Sequence, residues 1–209
     1  MEHQMKLTID YTRKAGTVRR LNGVNLAPPP IAEKASRDLS ADFAALRAPY
    51  ARLHDAPLEN GNMRLVDVPF LFGNCDADAA DKANYYFRQT DDYLATCRRC
   101  GSDVIYRLGV SIEHGIGRYY AFPPEDFEKW SDICVNIVRH YNEGWNDGFA
   151  WNIRYWEIWN EPDLAGNMWN APLERYFELY ALTAKKLKAR FPGIRVGGPA
   201  FGGGRGGVG

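Results

Sequence analysis

Short apolar stretches alternate with amphipathic helical stretches along nearly the whole chain, and this alternation restricts the fold more than any single motif. RRLNGVNL (19–26) reads as a first strand, ADFAALRAPY (41–50) as a short helix leading into the strand ARLHD (51–55), and residues 84–100 as a further helix. SDVIYRLGVS (102–111) is a third strand. Between 125 and 141, Phe127, Trp130, Cys134, Ile137, Val138 and Tyr141 recur at helical spacing, so one face of that helix is made for burial. WNIRYWEIWN (151–160) is a fourth strand. The next helix carries Leu173, Tyr176, Phe177, Tyr180, Ala184, Leu187 and Phe191 on one face. Lys185, Lys186, Lys188 and Arg190 stand near its C-terminal end, where cations complement the helix dipole. GIRVGGPA (193–200) is a fifth strand. Strands joined through helices run parallel, which leaves an α/β doubly wound sheet or a (β/α)8 barrel.

The strand ends favour the barrel. Asn25, His54 with Asp55, Glu113 with His114, and Asn160 with Glu161 each fall just past the apolar part of a strand, and in barrels that C-terminal face carries the chemistry. A dinucleotide fold would show a glycine-rich loop after its first strand, where Gly23 stands alone. Five βα units in 209 residues are fewer than the eight of a TIM barrel, which takes about 250 residues. Residues 1–200 are therefore expected to be the N-terminal part of such a barrel. Residues 201–209 read as a glycine-rich, flexible or truncated end, for 197–209 hold eight glycines in thirteen positions. An open five-stranded sheet would leave two strand edges unpaired, and inward-facing residues such as Trp156, Ile158 and Val196 without an opposite wall. Such surfaces invite homo-oligomers.

Composition excludes several classes. Lys plus Arg and Asp plus Glu are equal at 26 each, so no charge excess points to nucleic acid or a membrane surface, and a neutral or weakly charged ligand fits better. The start, MEHQMKLTIDYTRKAG, lacks the apolar core of a secretory signal and no run reaches membrane-spanning length, so a cytoplasmic protein is expected. Cys97 and Cys100 form a C-x-x-C inside a helical stretch, with no second such pair to complete a zinc site, and read as ordinary helix cysteines. No cofactor and no metal are expected.

YWEIWNEPD (155–163) places Glu157 and Glu161 four positions apart. On a strand rising about 3.3 Å per residue they would stand roughly 13 Å apart, too far for paired glycosidase carboxylates, which need about 5–9.5 Å. Glu157 thus reads as a buried structural carboxylate, held by an arginine of a neighbouring strand, Arg52 or Arg107. Glu161 lies at the rim beside Asn160, and Pro162 sets the turn that ends the strand. From the residues alone it is either a solvated loop glutamate or a working carboxylate.

IRYWEIWNEPDL (153–164) closely resembles the acid/base segment of glycoside hydrolase family 39, the β-xylosidase and α-L-iduronidase family of (β/α)8 retaining glycosidases. RRLNGVN, RLHD and DFEKWSDICVNIVRHYNEGWNDGF before it, and ERYFELYALTAKKLKARFPGIRVGGPA after it, extend the resemblance over nearly all of 19–200. It implies that Glu161 is the general acid that protonates the leaving oxygen and then the base that activates water. It also implies that Asn160 holds the sugar 2-hydroxyl and that His54 lines the sugar subsite. Trp169 in the following loop either stacks on a sugar face or anchors the loop, and Glu113 and His114 are further candidates for ligand contact.

In that family the nucleophile is a glutamate ending the seventh strand, and no residue here matches it. The expected function is hydrolysis of an O-glycosidic bond in a xyloside- or uronide-like carbohydrate by a retaining mechanism, with this stretch alone inactive. The alternative is a non-catalytic carbohydrate-binding relative or an inactive fragment.

Overall fold

A computed structural model describes residues 7–17, 20–28, 38–56, 59–60, 63–114 and 116–203. Its elements run in the order β1 (Val24–Asn25), α1 (Ser40–Leu46), β2 (Tyr50–Leu53), β3 (Glu59–Asn60), β4 (Met63–Arg64), α2 (Val68–Leu71), α3 (Arg88–Arg99), β5 (Asp103–Leu108), α4 (Phe127–Glu143), β6 (Tyr155–Ile158), α5 (Leu173–Arg190) and β7 (Arg195–Gly197). Five strands form one wholly parallel sheet in the order β1-β2-β5-β6-β7. The five strands expected from the sequence are those five, in sequence order across the sheet, as in an arc of a (β/α)8 barrel. The antiparallel pair β3–β4 and the short helix α2 lie between β2 and α3, where the sequence shows no apolar periodicity. From residue 204 the glycine-rich end lies outside the described residues. Among the described residues no helix is long and apolar enough to cross a membrane.

The two faces of the sheet divide the chemistry. Tyr106 of β5 stacks on Trp156 of β6 with ring centres 5.0 Å apart, and the Tyr106 ring meets Tyr141 of α4 at 5.8 Å. Trp156 therefore faces the helices and not the barrel interior. The reason is the two-residue period of a strand: Glu157, its neighbour, points to the opposite face. The interior face carries Arg52, Arg107 and Glu157, so it is polar, while the helix-facing layer is aromatic and aliphatic.

The helices match their expected stripes with one rotation. In α4 every expected residue is buried except Phe127, which is partly covered. Asp126 caps its start by accepting the Lys129 N–H at 3.0 Å, and Gly144 ends it in the left-handed conformation. In α5 the buried residues are Tyr176, Leu179, Thr183 and Leu187, whereas Phe177 is 50% exposed. The seam against α4 decides this, where Thr183 and Ser131 share a buried hydroxyl contact of 2.8 Å. Cys97 lies fully buried in α3, and burial pushes its thiol up to about 12, as expected of a core-packing cysteine.

The turn after β7 is fitted to the end of β6. Gly198 has a φ of +118°, and a Cβ there would lie 2.7 Å from the Ile158 carbonyl oxygen. Gly198→Ala is expected to destabilise the fold by at least about 1–3 kcal/mol, since dihedral strain and a backbone clash add. Urea denaturation measures the loss; an unchanged midpoint would mean that β7 does not approach β6 as described.

Candidate active site

The site is built where β6 stops being a strand. After Ile158 the strand ends: the Trp159 N–H still donates to the Leu108 carbonyl of β5 at 2.7 Å, but Trp159 and Glu161 take left-handed φ values of +67° and +45°. The expected strand to residue 160 is thus shorter, and the rise per residue does not carry through to Glu161. Two aromatic anchors hold the turn. Trp159 donates Nε1–H to the Met168 carbonyl at 2.8 Å and Trp169 donates to the Pro172 carbonyl at 3.1 Å, with the two rings edge to face at 5.1 Å. Trp169 is 1% exposed, so its ring serves as the loop's anchor and offers no face at the rim. The Glu161 N–H donates to the Pro199 carbonyl at 3.0 Å, which ties this turn to the segment after β7.

Arg52 organises the interior. From β2 it crosses over β5 to β6, where Nε donates to Glu157 Oε2 at 2.9 Å and Nη2 contacts Glu157 Oε1. Nη2 also donates to Asn160 Oδ1 at 2.6 Å. Of the two arginines considered for Glu157, Arg52 is the partner. Arg107 instead holds Asp67 at 2.5 Å and Ser111 at 3.1 Å, all three buried. An arginine can only donate, so it dictates which end of the Asn160 amide faces it. The carbonyl points to Arg52, and Nδ2 points to Glu161 Oε2 at 3.1 Å. Glu157 and Glu161 are therefore the two ends of one chain of polar contacts.

The other expected residues fall in different settings. His54 lies at the end of β2, buried to 9% exposure, with Nε2 3.6 Å from Asp55 Oδ1. Burial, then the positive charge of Arg107, lower its pKa to about 3 against the opposing pull of Asp55; Arg52 and Arg64 act in the same downward sense. Its imidazole is neutral, so the contact with Asp55 is not an ion pair. Glu113 is 1% exposed, and its carboxylate accepts the backbone N–H groups of Tyr119 at 2.9 Å and Tyr120 at 2.7 Å. It clamps the loop after β5 from within and turns no free oxygen outward. His114 is exposed. The structure thus brings together Arg52, Glu157, Asn160 and Glu161, with His54, just past β2, in electrostatic reach of Arg52. Asp67 escaped sequence reasoning: it lies in an aperiodic stretch, and only contact with Arg107 shows its role. Among the described residues no group of three or more His, Cys, Asp or Glu side chains is placed to hold a metal ion.

A parallel sheet with alternating helices, with a half-buried glutamate beside a buried asparagine at a strand end, defines an arc of a (β/α)8 barrel with a carboxyl at its rim. A model of glycosyl hydrolases family 39 matches residues 77–205, and the chain belongs to that family. It is 42% identical over 85 residues to a beta-xylosidase of Geobacillus stearothermophilus, a match covering 39% of this chain and 16% of that protein. A beta-xylosidase of Caldicellulosiruptor saccharolyticus is 36% identical over 80 residues, 37% of this chain and 16% of that one. Among solved structures, a glucosidase from Croceicoccus marinus superposes with a TM-score of 0.71 at 25% identity, covering 86% of this chain and 36% of that one. A monomeric beta-xylosidase from Caulobacter crescentus shares the fold, with a TM-score of 0.61 at 23% identity over 91% of this chain and 38% of that one. The chain thus spans well under half the length of these relatives.

Two outcomes follow from the contacts. Glu157→Gln keeps the shape but leaves Arg52 without its counter-charge, and because the Arg52 side chain is 26% exposed the expected cost is about 1–3 kcal/mol, below that of a fully buried pair. Chemical denaturation checks this; a larger effect on the pH profile of turnover than on stability would reverse the structural assignment. For His54 the folded pKa lies below the unfolded value of about 6.5, so its stabilising share is complete above pH 6.5 and is lost as pH falls towards 3. Between pH 6 and 4 the stability of the parent is expected to fall more steeply than that of His54→Gln, by up to about 1.4 kcal/mol per pH unit. Parallel slopes would show that His54 protonates freely in the fold.

Proposed function

We propose that this chain forms the acid/base half of a retaining glycoside hydrolase acting on a xyloside-type substrate. The observation that carries the reading is the Glu161 carboxyl, held half-buried at a barrel-strand end with the Asn160 Nδ2 3.1 Å away. In the first step Glu161 donates its proton to the glycosidic oxygen as the bond to the anomeric carbon breaks. In the second, the same group, now a carboxylate, takes a proton from the attacking water. Asn160 contributes Nδ2–H donors to a sugar hydroxyl, and Arg52 keeps that amide from turning over. A second carboxylate must form the glycosyl intermediate. Asp55 and Glu113 do not suit this, because Asp55 accepts the Ile112 N–H at 3.1 Å and Glu113 is occupied by two backbone donors. The resemblance to family 39 implies that this nucleophile ends a seventh strand, which is not among the five described. The matched beta-xylosidases support the sugar class.

The test is Glu161→Gln in a form of the protein that carries the remaining barrel strands. On xylosides with alkyl or sugar leaving groups kcat/KM is expected to fall by about 10²–10⁴-fold, and far less on dinitrophenyl xyloside, whose leaving group needs no proton in the first step. Equal losses on both substrates would overturn the acid/base role. No loss on either would place the proton transfer on another residue, whereas a parent that binds xylosides without turning them over would leave a carbohydrate-binding relative as the better reading.

A further inference from the structure

The Glu161 carboxylate does not sit in open space; it lies against the segment that follows β7. A Cβ built on Gly202 would lie 2.9 Å from Glu161 Oε1 and 3.3 Å from its Cδ. That segment is tied to the Glu161 turn twice over, by the Glu161 N–H on the Pro199 carbonyl at 3.0 Å and by the Gly202 N–H on Asp163 Oδ1 at 3.2 Å. The bare Cα of Gly202 is therefore held beside one oxygen of Glu161, while Asn160 Nδ2 lies on the other. We infer that Gly202 is a positioning residue for the reaction: its lack of a side chain leaves the one place in which the Glu161 carboxyl can stand between Asn160 and the post-β7 segment. This rests on Glu161 being the general acid/base.

The physical distinction from an ordinary structural glycine lies in what would have to move. The atom that a methyl group at 202 meets is the tip of a flexible side chain, and Gly202 has no left-handed φ to forbid alanine. The fold can absorb the change by turning the Glu161 carboxyl away. Turning it loses the contact with Asn160 and carries the proton off the line to the leaving oxygen, and displacements of about 1 Å at a reacting group can cost on the order of 100-fold in rate. Gly193 is the matched control, for a Cβ there meets nothing within 4 Å and its φ is not left-handed either.

The experiment compares the parent, Glu161→Gln, Gly202→Ala and Gly193→Ala, each in a form carrying the remaining barrel strands, by thermal melting and by kcat/KM on alkyl xyloside and dinitrophenyl xyloside across pH. Gly202→Ala is expected to melt within a few degrees of the parent and to lose at least about tenfold on the alkyl xyloside. It should lose much less on the dinitrophenyl substrate, with a displaced limb in the pH profile, while Gly193→Ala matches the parent throughout. If Glu161→Gln shows the leaving-group split and Gly202→Ala behaves as the parent, the positioning role is wrong and the acid/base assignment stands. If Gly202→Ala loses equally on both substrates, or melts far below the parent, Gly202 is structural and the inference fails. If Glu161→Gln shows no split, the acid/base reading itself falls, and this inference with it.

Discussion

One guanidinium holds the working face of this protein together. Arg52 stands on β2 and its acceptors stand on β6 and in the turn that follows it, with β5 between them, so the contact forms only when three strands pair in the correct register. Side chains from alternate strands meet in this way in the interior layers of parallel barrels. A slip of one residue would turn Glu157 towards the helices and place Trp156 inside, leaving a carboxylate without its cation and an arginine without either acceptor. The clamp therefore specifies register as well as charge balance. Its third contact, on Asn160, passes that register on to the amide and from there to Glu161.

Around the clamp, several loops are tied down by polar groups that would be costly to bury alone. Asp67 joins the loop before α2 to Arg107 and Ser111. Asp55 accepts the Ile112 N–H, and Glu113 accepts two backbone N–H groups of the loop that follows it. Trp159 and Trp169 do the same for the turn after β6, through apolar bulk and two indole donors. Such ties fix the positions of functional groups before any ligand arrives, which suits chemistry that depends on orientation. The outer face does a different job: the aromatic layer from Tyr106 and Trp156 to Tyr141 joins sheet to helix, and no polar group of the site takes part in it.

Membership of family 39 and the partial coverage of its relatives fit this division of labour. The five strands hold Arg52, Glu157, Asn160 and Glu161 in one chain of polar contacts at a strand end, while Asp55 and Glu113 accept backbone N–H groups of a neighbouring loop. A retaining mechanism needs two carboxyl groups in distinct roles, one neutral and one charged. In the proposed scheme the described strands supply the first of these and hold its supporting amide in place.

The sequence by itself determined the class of fold and pointed to Glu161 as the carboxylate of the proposed site. Alternating periods of two and about 3.6 residues mark β5, β6, α4 and α5 without reference to neighbours, and Asn160-Glu161-Pro162 at the end of a tryptophan-rich strand marks the site. These signals are local, and so they are legible along the chain. Which arginine serves Glu157 was not: Arg52 and Arg107 have the same chemistry, and only the stagger of the strands brings one to Glu157 and the other to Asp67. For the same reason Glu113, Trp169 and Phe177 could not be placed from their types, since a glutamate serves a ligand or a loop, and an aromatic ring the rim or the core, according to what packs against it. The approach of Gly202 to Glu161, 41 residues apart in the chain, belongs wholly to tertiary structure. Contacts between distant segments depend on how the sheet is assembled, and no periodicity within either segment encodes them.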